Sequence, residues 1–175
     1  LAMRVRTKAR VVTFGTGEDA DVRGFGVREG WPDRLGPSIS ARGQVQHVQT
    51  PFVGKHPLYA TLAATAVALE SGVSLEQCAK RIATFTPVFQ RLSTHELRPG
   101  VALLLDSIKA PHWSLAATLD VLRSARASRR MLIVGSLSDY AGSSSLKYRR
   151  LAAEGLSLGA PVFIRSTSAH MVAAT

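Results

Sequence analysis

The sequence predicts an α/β protein, and three observations carry that prediction. Residues 11–53 hold short β-branched runs separated by turn-forming residues, which is typical of strands. Residues 57–85 have the apolar spacing of two consecutive helices. From residue 101 onward, aliphatic runs alternate with helical patterns. Strands that are apolar on both faces and separated by helices favour parallel pairing, so the last part predicts a Rossmann-like βαβαβ unit.

The first part is predicted to be rich in strands and turns. VVTF at 11–14 predicts a strand, and segments such as GWPDRLGP interrupt the short runs between residues 24 and 53. GTGEDA at 15–20 matches the spacing of a dinucleotide-binding loop. That loop must open a helix, however, and the following DADVRGFGV has no helical period, so we predict a turn between strands there.

Two helices follow. PLYATLAATAVALESG begins at Pro57, which is tolerated at a first helical position, and stops at Gly72. Its apolar residues go nearly all the way round, which predicts a buried helix. In VSLEQCAKRIATF, Ser74 and Gln77 have capping-box spacing. TPVFQRL at 86–92 is predicted to be a linker into a new unit.

The remainder alternates between strands and helices. VALLL (101–105), MLIVG (131–135) and PVFIR (161–165) are the predicted strands, and WSLAATLDVLRSA and SLKYRRLAAEGLSLG are the helices between them. In parallel sheets of this kind ligands bind beyond the carboxyl ends of the strands. Asp106 and the loop at 135–138 both fall there, which makes them candidates for a binding site.

Charge and composition narrow the possible partners. The 175 residues carry a net charge of +10, which attracts anionic ligands such as nucleotides, and much of the excess lies in LAMRVRTKAR and RSARASRR. A nucleic-acid-binding domain is the alternative, marked by steep salt dependence, but no RNP strand, zinc-finger spacing or basic heptad accompanies the charge. The sequence therefore predicts no nucleic-acid partner.

Several site classes are not predicted. Cys78 is the only cysteine and lies on an apolar helical pattern, so a packed thiol is predicted rather than a disulfide or a Cys-cluster metal site. The histidines lack metal-ligand spacing, and no G-x-x-x-x-G-K-[ST] or G-x-S-x-G motif occurs. No segment reaches about 18 consecutive apolar residues. Without a signal-peptide pattern either, we expect a cytoplasmic protein with no membrane partner.

GKHP at 54–57 marks a second candidate site. It places Lys55 and His56 at the start of the predicted buried helix, where backbone N–H groups are unpaired and the helix dipole favours anions. An ordinary histidine at a helix end is the alternative interpretation.

Five segments follow one another in a recognisable order: VTFG, ADVRG, GKHPLYATLAATAVALESGVSLEQCAKRIATFTPVFQRL, LLLDSIKAPHWSLAATLDVL and MLIVGSLSDYAGSSSLKYRRLA. In this order they resemble the Mur ligases, the ATP-dependent amino-acid ligases of peptidoglycan synthesis, and most closely the branch that adds D-alanyl-D-alanine. The resemblance implies that residues 1–88 are the latter part of the central ATP-binding domain and residues 89–175 the first part of the C-terminal Rossmann-like domain. The family's phosphate loop, magnesium-binding glutamate and carbamylated lysine would lie upstream. We therefore expect a fragment that is inactive when isolated and that self-associates.

The family's G-x-H-N-x-x-N corresponds to GKHPLYA, which keeps His56 and has Pro57 and Ala60 in place of two asparagines. The family's P-G-R-L corresponds to FQRL, which keeps Arg91. The resemblance implies that His56 and Arg91 contact the nucleotide.

The family's D-D-S-Y-N-A-N-P corresponds to LDSIKAPH, which keeps Asp106, Ser107 and Ala110 and has Lys109 where an asparagine is usual. The family's G-D-M-x-E-L-G corresponds to GSLSDYAG, which keeps its two glycines, lacks the first acid and has Asp139 as the candidate for the second.

The resemblance implies a ligase that phosphorylates a carboxylate with ATP and lets an amine attack the acyl phosphate. Arg91 and Lys109 are the expected catalytic cations, and His56, Asp106 and Arg91 are the expected nucleotide-binding residues. ATP and Mg²⁺ are the expected cofactors, and a small carboxylate and an amine the expected substrates. A non-catalytic binding or regulatory module that retains the fold is the alternative.

Overall fold

The computed structural model describes residues 6–109 and 111–164. They form two compact units: unit 1 comprises residues 6–29, 34–51 and 55–86, and unit 2 comprises residues 30–33, 52–54 and the described residues from 87 onward. Ala110, Arg165 at the end of the third predicted strand, and the first five residues of the basic N-terminal segment lie outside the described residues. The strands of unit 1 are β1 (Phe14–Gly15), β2 (Val22–Arg28), β3 (Gly36–Ala41) and β4 (Gln44–His47), and its helices are α1 (Leu58–Glu70) and α2 (Leu75–Ala83).

The unit 1 strands form one sheet in the order β1-β2-β3-β4, with β1 parallel to β2 and the other pairs antiparallel. The prediction of a strand over VVTF is correct only at Phe14. Thr13 instead donates hydrogen bonds from its N–H and its hydroxyl to the Asp21 carboxylate, both at 2.7 Å. A side-chain contact thus holds the residues just before β1, where a strand was predicted. The GTGEDA segment forms the predicted turn between β1 and β2.

Helix α1 buries one face, whereas the sequence predicted that it would be buried on all sides. Its buried side chains recur at helical spacing (Leu58, Thr61, Leu62, Thr65, Ala66 and Leu69). On the other side, Tyr59 is 55% and Val67 68% exposed, because the single sheet of unit 1 covers one face of the helix. Pro57 is the N-cap residue, and Gly72 adopts the left-handed conformation that follows the helix end (φ 86°).

The predicted capping box at the start of α2 is confirmed. Ser74 Oγ accepts a hydrogen bond from the Gln77 N–H at 3.2 Å, and Gln77 Oε1 accepts one from the Ser74 N–H at 3.0 Å. Two otherwise unpaired donors of the helix are thereby satisfied. Cys78 is buried on this helix, and burial raises the pKa of its thiol, in keeping with the predicted packed thiol.

Unit 2 contains a hairpin, a βαβ segment and an additional helix. Its elements are β5 (Ser93–Arg98), β6 (Val101–Leu105), a 3₁₀ turn (His112–Ser114), α3 (Leu115–Ser124), β7 (Leu132–Val134), α4 (Ser144–Ser157) and β8 (Val162–Ile164). β7 and β8 pair in parallel with α4 between them, as predicted.

The pairing of β6 differs from the prediction. β6 pairs antiparallel with β5, a strand that the sequence analysis missed, and not with β7. Only Pro99 and Gly100 separate the two strands, and Gly100 has φ 77°, so a tight turn lays β5 beside β6. Among the described residues, one parallel bridge, between Pro111 and Ser138, links the segments that follow β6 and β7.

The core of unit 2 lies between β7, β8 and the two helices. Its buried residues are Leu119, Val134, Leu137, Tyr148 and Leu151. Gly155 lets α4 approach the strands closely, since a Cβ there would lie 2.6 Å from Val162 Cγ2 and 3.0 Å from Leu132 Cδ2. A second buried cluster joins Val53, Leu92 and Val121.

Candidate functional site

Three loops of unit 2 meet beyond the carboxyl end of β6. The Gln90 carbonyl accepts hydrogen bonds from the N–H groups of Ser107 (3.1 Å) and Ile108 (3.4 Å). On the other side, the His112 N–H donates to the Ser138 carbonyl at 3.0 Å. We call the surface made by residues 88–92, 106–109, 111–112 and 135–142 the three-loop site.

Arg91 is presented by a strained turn. Its neighbours Gln90 (φ 60°) and Leu92 (φ 45°) both have left-handed backbones, which cost about 1–3 kcal/mol each in residues other than glycine. Leu92 is 5% exposed and packs against Val53 and Val121, so its burial offsets part of that cost. Arg91 Nη1 donates to the Lys109 carbonyl at 3.2 Å, which ties the exposed guanidinium to the loop after β6.

Lys109 bridges to the loop after β7. Its Nζ lies 3.1 Å from Asp139 Oδ2, and the same oxygen accepts a hydrogen bond from Ser138 Oγ at 2.7 Å. The Ser138 hydroxyl and then the Lys109 ammonium lower the pKa of Asp139, so this carboxylate is charged at neutral pH. Because both side chains are solvent-accessible, the pair adds little stability, and its effect is to hold the Lys109 side chain against the loop after β7.

Asp106 is held by helix α3. Its Oδ2 accepts a hydrogen bond of 2.7 Å from Thr118 Oγ1, and the carboxylate is half-buried. Asp106 makes no other hydrogen bond to the described residues. The three-loop site therefore combines a guanidinium, an ammonium and an oriented carboxylate, a set suited to a phosphorylated ligand that also carries hydroxyl or amine donors.

The structure places His56 in unit 1, whereas Arg91, Asp106 and Lys109 come together in unit 2. His56 is exposed ahead of α1, and Lys55 Nζ lies 2.6 Å from Glu29 Oε1. The N-cap Pro57 makes no side-chain cap, and no acidic residue lies in the first turn of α1. The helix start thus keeps the positive potential that favours an anion.

Within residues 6–109 and 111–164, no group of three or more His, Cys, Asp or Glu is arranged to hold a metal ion. None of the helices in those same residues has the length and apolar character needed to cross a bilayer.

Comparison with known proteins identifies relatives, although no protein-family model matches the sequence. Over 129 residues, 74% of this chain, it is 33% identical to the UDP-N-acetylmuramate–L-alanine ligase of Nitratidesulfovibrio vulgaris (strain DP4), of which it covers 28%. Over 120 residues, 69% of this chain, it is 32% identical to the UDP-N-acetylmuramoyl-tripeptide–D-alanyl-D-alanine ligase of Haemophilus influenzae, of which it covers 26%. The chain belongs to the Mur ligase family. It spans about a quarter of the length of these curated relatives.

Solved structures show the Mur ligase fold. The MurF ligase of Thermotoga maritima in complex with ADP matches 92% of this chain with a TM-score of 0.73 and 16% identity, over 37% of that protein. A MurF structure from Acinetobacter baumannii matches 94% of this chain with a TM-score of 0.69 and 20% identity, over 46% of that protein. The predicted α/β fold is therefore confirmed. The curated relatives of this Mur ligase chain include both L-alanine-adding and D-alanyl-D-alanine-adding enzymes, so its closeness to the latter branch stays a prediction.

Sequence reasoning placed Arg91, Asp106, Lys109 and Asp139 in the Mur ligase pattern but missed Thr118. Residues 12 positions apart on a loop and a helix are joined by a single hydroxyl hydrogen bond. Helical periodicity does not distinguish Thr118 from other residues of α3. Its contact with Asp106 depends on how α3 packs beside β6, which the sequence pattern does not show.

Proposed function

We propose that this chain is part of an ATP-dependent ligase that joins a carboxylate to an amine through an acyl phosphate, in peptidoglycan synthesis or a related amino-acid ligation. Membership in the Mur ligase family supports the reaction class. The observation that carries the proposal is the meeting of Arg91, Asp106 and Lys109 at one site beyond β6.

Each of these side chains has a role that follows from its chemistry. Negative charge accumulates on the phosphoryl oxygens during transfer, and positioned cations stabilise it. Arg91 provides a fork of N–H donors and Lys109 a point charge. Since Lys109 contacts Asp139, a bound phosphate competes with that carboxylate for the ammonium. Asp106 accepts a hydrogen bond from a ribose hydroxyl or from the incoming amine.

ATP supplies the phosphoryl group when it is bound. In unit 1, His56 and the start of α1, which has no side-chain cap, are the groups that we assign to the nucleotide. Among the described residues, no group of three or more His, Cys, Asp or Glu is arranged to hold a metal ion, so we derive no step through Mg²⁺.

We further propose that residues 1–88 are the latter part of the ATP-binding central domain and residues 89–175 the first part of the C-terminal domain. On this proposal the ligase works in the cytoplasm on small carboxylate and amine substrates, within the D-alanyl-D-alanine-adding branch. Produced alone, the chain is inactive and self-associates.

A non-catalytic binding module is the second candidate, and one observation favours it. Pro57 and Ala60 stand where the family has two asparagines, and in this structure both lie at the start of α1, where neither side chain donates a hydrogen bond. This alternative predicts that the full-length gene product releases no ADP with any amine.

The test is ADP release by the full-length gene product in the presence of ATP and a panel of amino acids. We expect amine-dependent release, and we expect Arg91→Ala and Lys109→Ala to reduce it about 10-fold or more, since each removes a cation from the transferring phosphoryl group. Lys80→Ala is the matched control, because Lys80 also pairs with a carboxylate, that of Glu76 at 2.6 Å, but lies on α2. If no amine causes ADP release, the ligase proposal is wrong and the non-catalytic binding module is favoured.

A further inference from the structure

We propose that Thr118 is a positioning residue for Asp106. It holds one carboxylate oxygen so that the other is presented to a hydroxyl or amine donor of the ligand. This inference rests on the proposed function, because it assigns a ligand-facing role to Asp106.

The Thr118 hydroxyl forms a bond that helical threonines do not usually make. In α1, the hydroxyl of Thr61 donates to the Pro57 carbonyl at 2.9 Å, and that of Thr65 donates to the Thr61 carbonyl at 2.8 Å. Both bonds stay within the first turns of their own helix and its cap, which is the ordinary behaviour of such residues. Thr118 instead directs its hydroxyl off α3 to Asp106 Oδ2 at 2.7 Å.

That distance is typical of an O–H···O hydrogen bond. A threonine hydroxyl has one hydrogen, so donating it to Asp106 leaves none for the backbone of α3. The bond is therefore a specific link between helix and loop.

The position of Thr118 makes it a rigid support. Leu119, the next residue, is 3% exposed in the core of unit 2, so this turn of α3 is held by packing. A β-branched side chain has few accessible rotamers in a helix, roughly two for threonine, so few other orientations of the hydroxyl compete with the observed one. Asp106, in contrast, is the first residue after β6 and lies on a loop. Without Thr118 its carboxylate is free to rotate.

The arrangement also indicates how a ligand is recognised. Among the described residues, Asp106 makes no hydrogen bond through Oδ1, so that oxygen can accept one from the ligand. Two sources carry suitable donors, namely the hydroxyls of the nucleotide ribose and the amine substrate. They are distinguished by which Michaelis constant changes when the Thr118 hydroxyl is removed.

The experiment uses the full-length gene product with Thr118→Val, which removes the hydroxyl at nearly constant shape, and Thr118→Ser, which keeps it. Thr118→Ala also removes the hydroxyl but adds no methyl group in its place. An effect seen in Thr118→Val and not in Thr118→Ala would therefore come from the packing of valine. Thr84→Val is the matched control, since the Thr84 hydroxyl donates to the Arg81 carbonyl in unit 1. KM for ATP, KM for the amine, kcat and the unfolding midpoint are measured for each.

We expect Thr118→Val and Thr118→Ala to raise one of the two KM values about 3- to 10-fold, the equivalent of one lost hydrogen bond, while Thr118→Ser stays within about 2-fold of the wild type. An increase in KM for ATP assigns the ribose, and an increase in KM for the amine assigns the second substrate. Combined with Asp106→Ala, the Thr118→Val change has no further effect, because Thr118 acts through Asp106.

Three results overturn the inference, and they are distinguishable. Unchanged KM values in Thr118→Val, with a defect in Asp106→Ala, mean that Asp106 works without Thr118, and the proposed function stands. Unchanged KM values in Asp106→Ala remove the ligand-facing role of Asp106. Additive effects in the double variant mean that Thr118 acts independently of Asp106.

Discussion

The hydroxyl of Tyr148 fixes the loop after β7 to helix α4, and its removal has a calculable cost. The Leu137 N–H donates to Tyr148 Oη at 3.0 Å, and Tyr148 Oη donates to the Gly135 carbonyl at 3.3 Å. Tyr148 is 2% and Leu137 9% exposed, so water does not replace the lost partner of the Leu137 N–H. Gly135 is exposed, and its carbonyl regains a bond to solvent.

Tyr148→Phe therefore leaves one buried donor unsatisfied, which costs about 1–3 kcal/mol, while the aromatic packing is retained. Urea denaturation followed by tryptophan fluorescence measures this cost in unit 2, because both tryptophans, Trp31 and Trp113, belong to that unit. With a slope of about 2 kcal/mol per M, the midpoint falls by about 0.5–1.5 M.

Tyr140→Phe is the matched control. Tyr140 lies on the same loop and its ring contacts that of His112, but its hydroxyl makes no hydrogen bond within the described residues. We expect its free energy of unfolding to stay within about 0.5 kcal/mol of the wild type. If Tyr148→Phe is as stable as Tyr140→Phe, the hydroxyl does not satisfy a buried donor and the reasoning is refuted.

Three further predictions concern other contacts. Gly155→Ala should lower the free energy of unfolding by about 1–3 kcal/mol in urea denaturation, because its Cβ overlaps Val162, and a variant as stable as the wild type would contradict the close approach of α4. Ser74→Ala should cost about 1 kcal/mol by the same measurement through loss of the capping box, and no loss would show that the cap contributes nothing. The depressed pKa of Asp139 means that its pair with Lys109 is fully formed above the ordinary carboxyl range and lost as pH falls through the lower folded value. Carboxyl ¹³C NMR titration should show this pKa rising in Lys109→Ala, and an unchanged pKa would contradict the contact.

The helices and strands with a clear periodic or apolar pattern were predictable from the sequence, because a local sequence feature specifies each of them. Helix α2 follows from its capping box, and β6, β7 and β8 follow from uninterrupted apolar runs. β5, by contrast, has the sequence STHELR, which shows neither a long apolar run nor strict alternation. It becomes a strand because the turn at Gly100 places it beside β6, whose backbone groups need partners.

The candidate site was predictable only in part. Arg91, Asp106 and Lys109 were identified through their place in a family pattern, and their common location follows from Asp106 lying at a strand end. The hydroxyl bonds that organise the site, from Thr118 and Tyr148, join residues 11 to 13 positions apart across a loop and a helix. The one available indication was Tyr148 itself, since a tyrosine on the buried face of a helix needs a partner for its hydroxyl.

A crystal structure of the full-length gene product with ADP would show whether the three-loop site binds the nucleotide phosphates. We predict that the nucleotide phosphates lie within hydrogen-bonding distance of the Arg91 guanidinium or the Lys109 ammonium, and that Lys109 has left Asp139 to reach them. ADP bound elsewhere, with Arg91 still on the Lys109 carbonyl and Lys109 still paired with Asp139, would contradict the assignment of the three-loop site to the nucleotide.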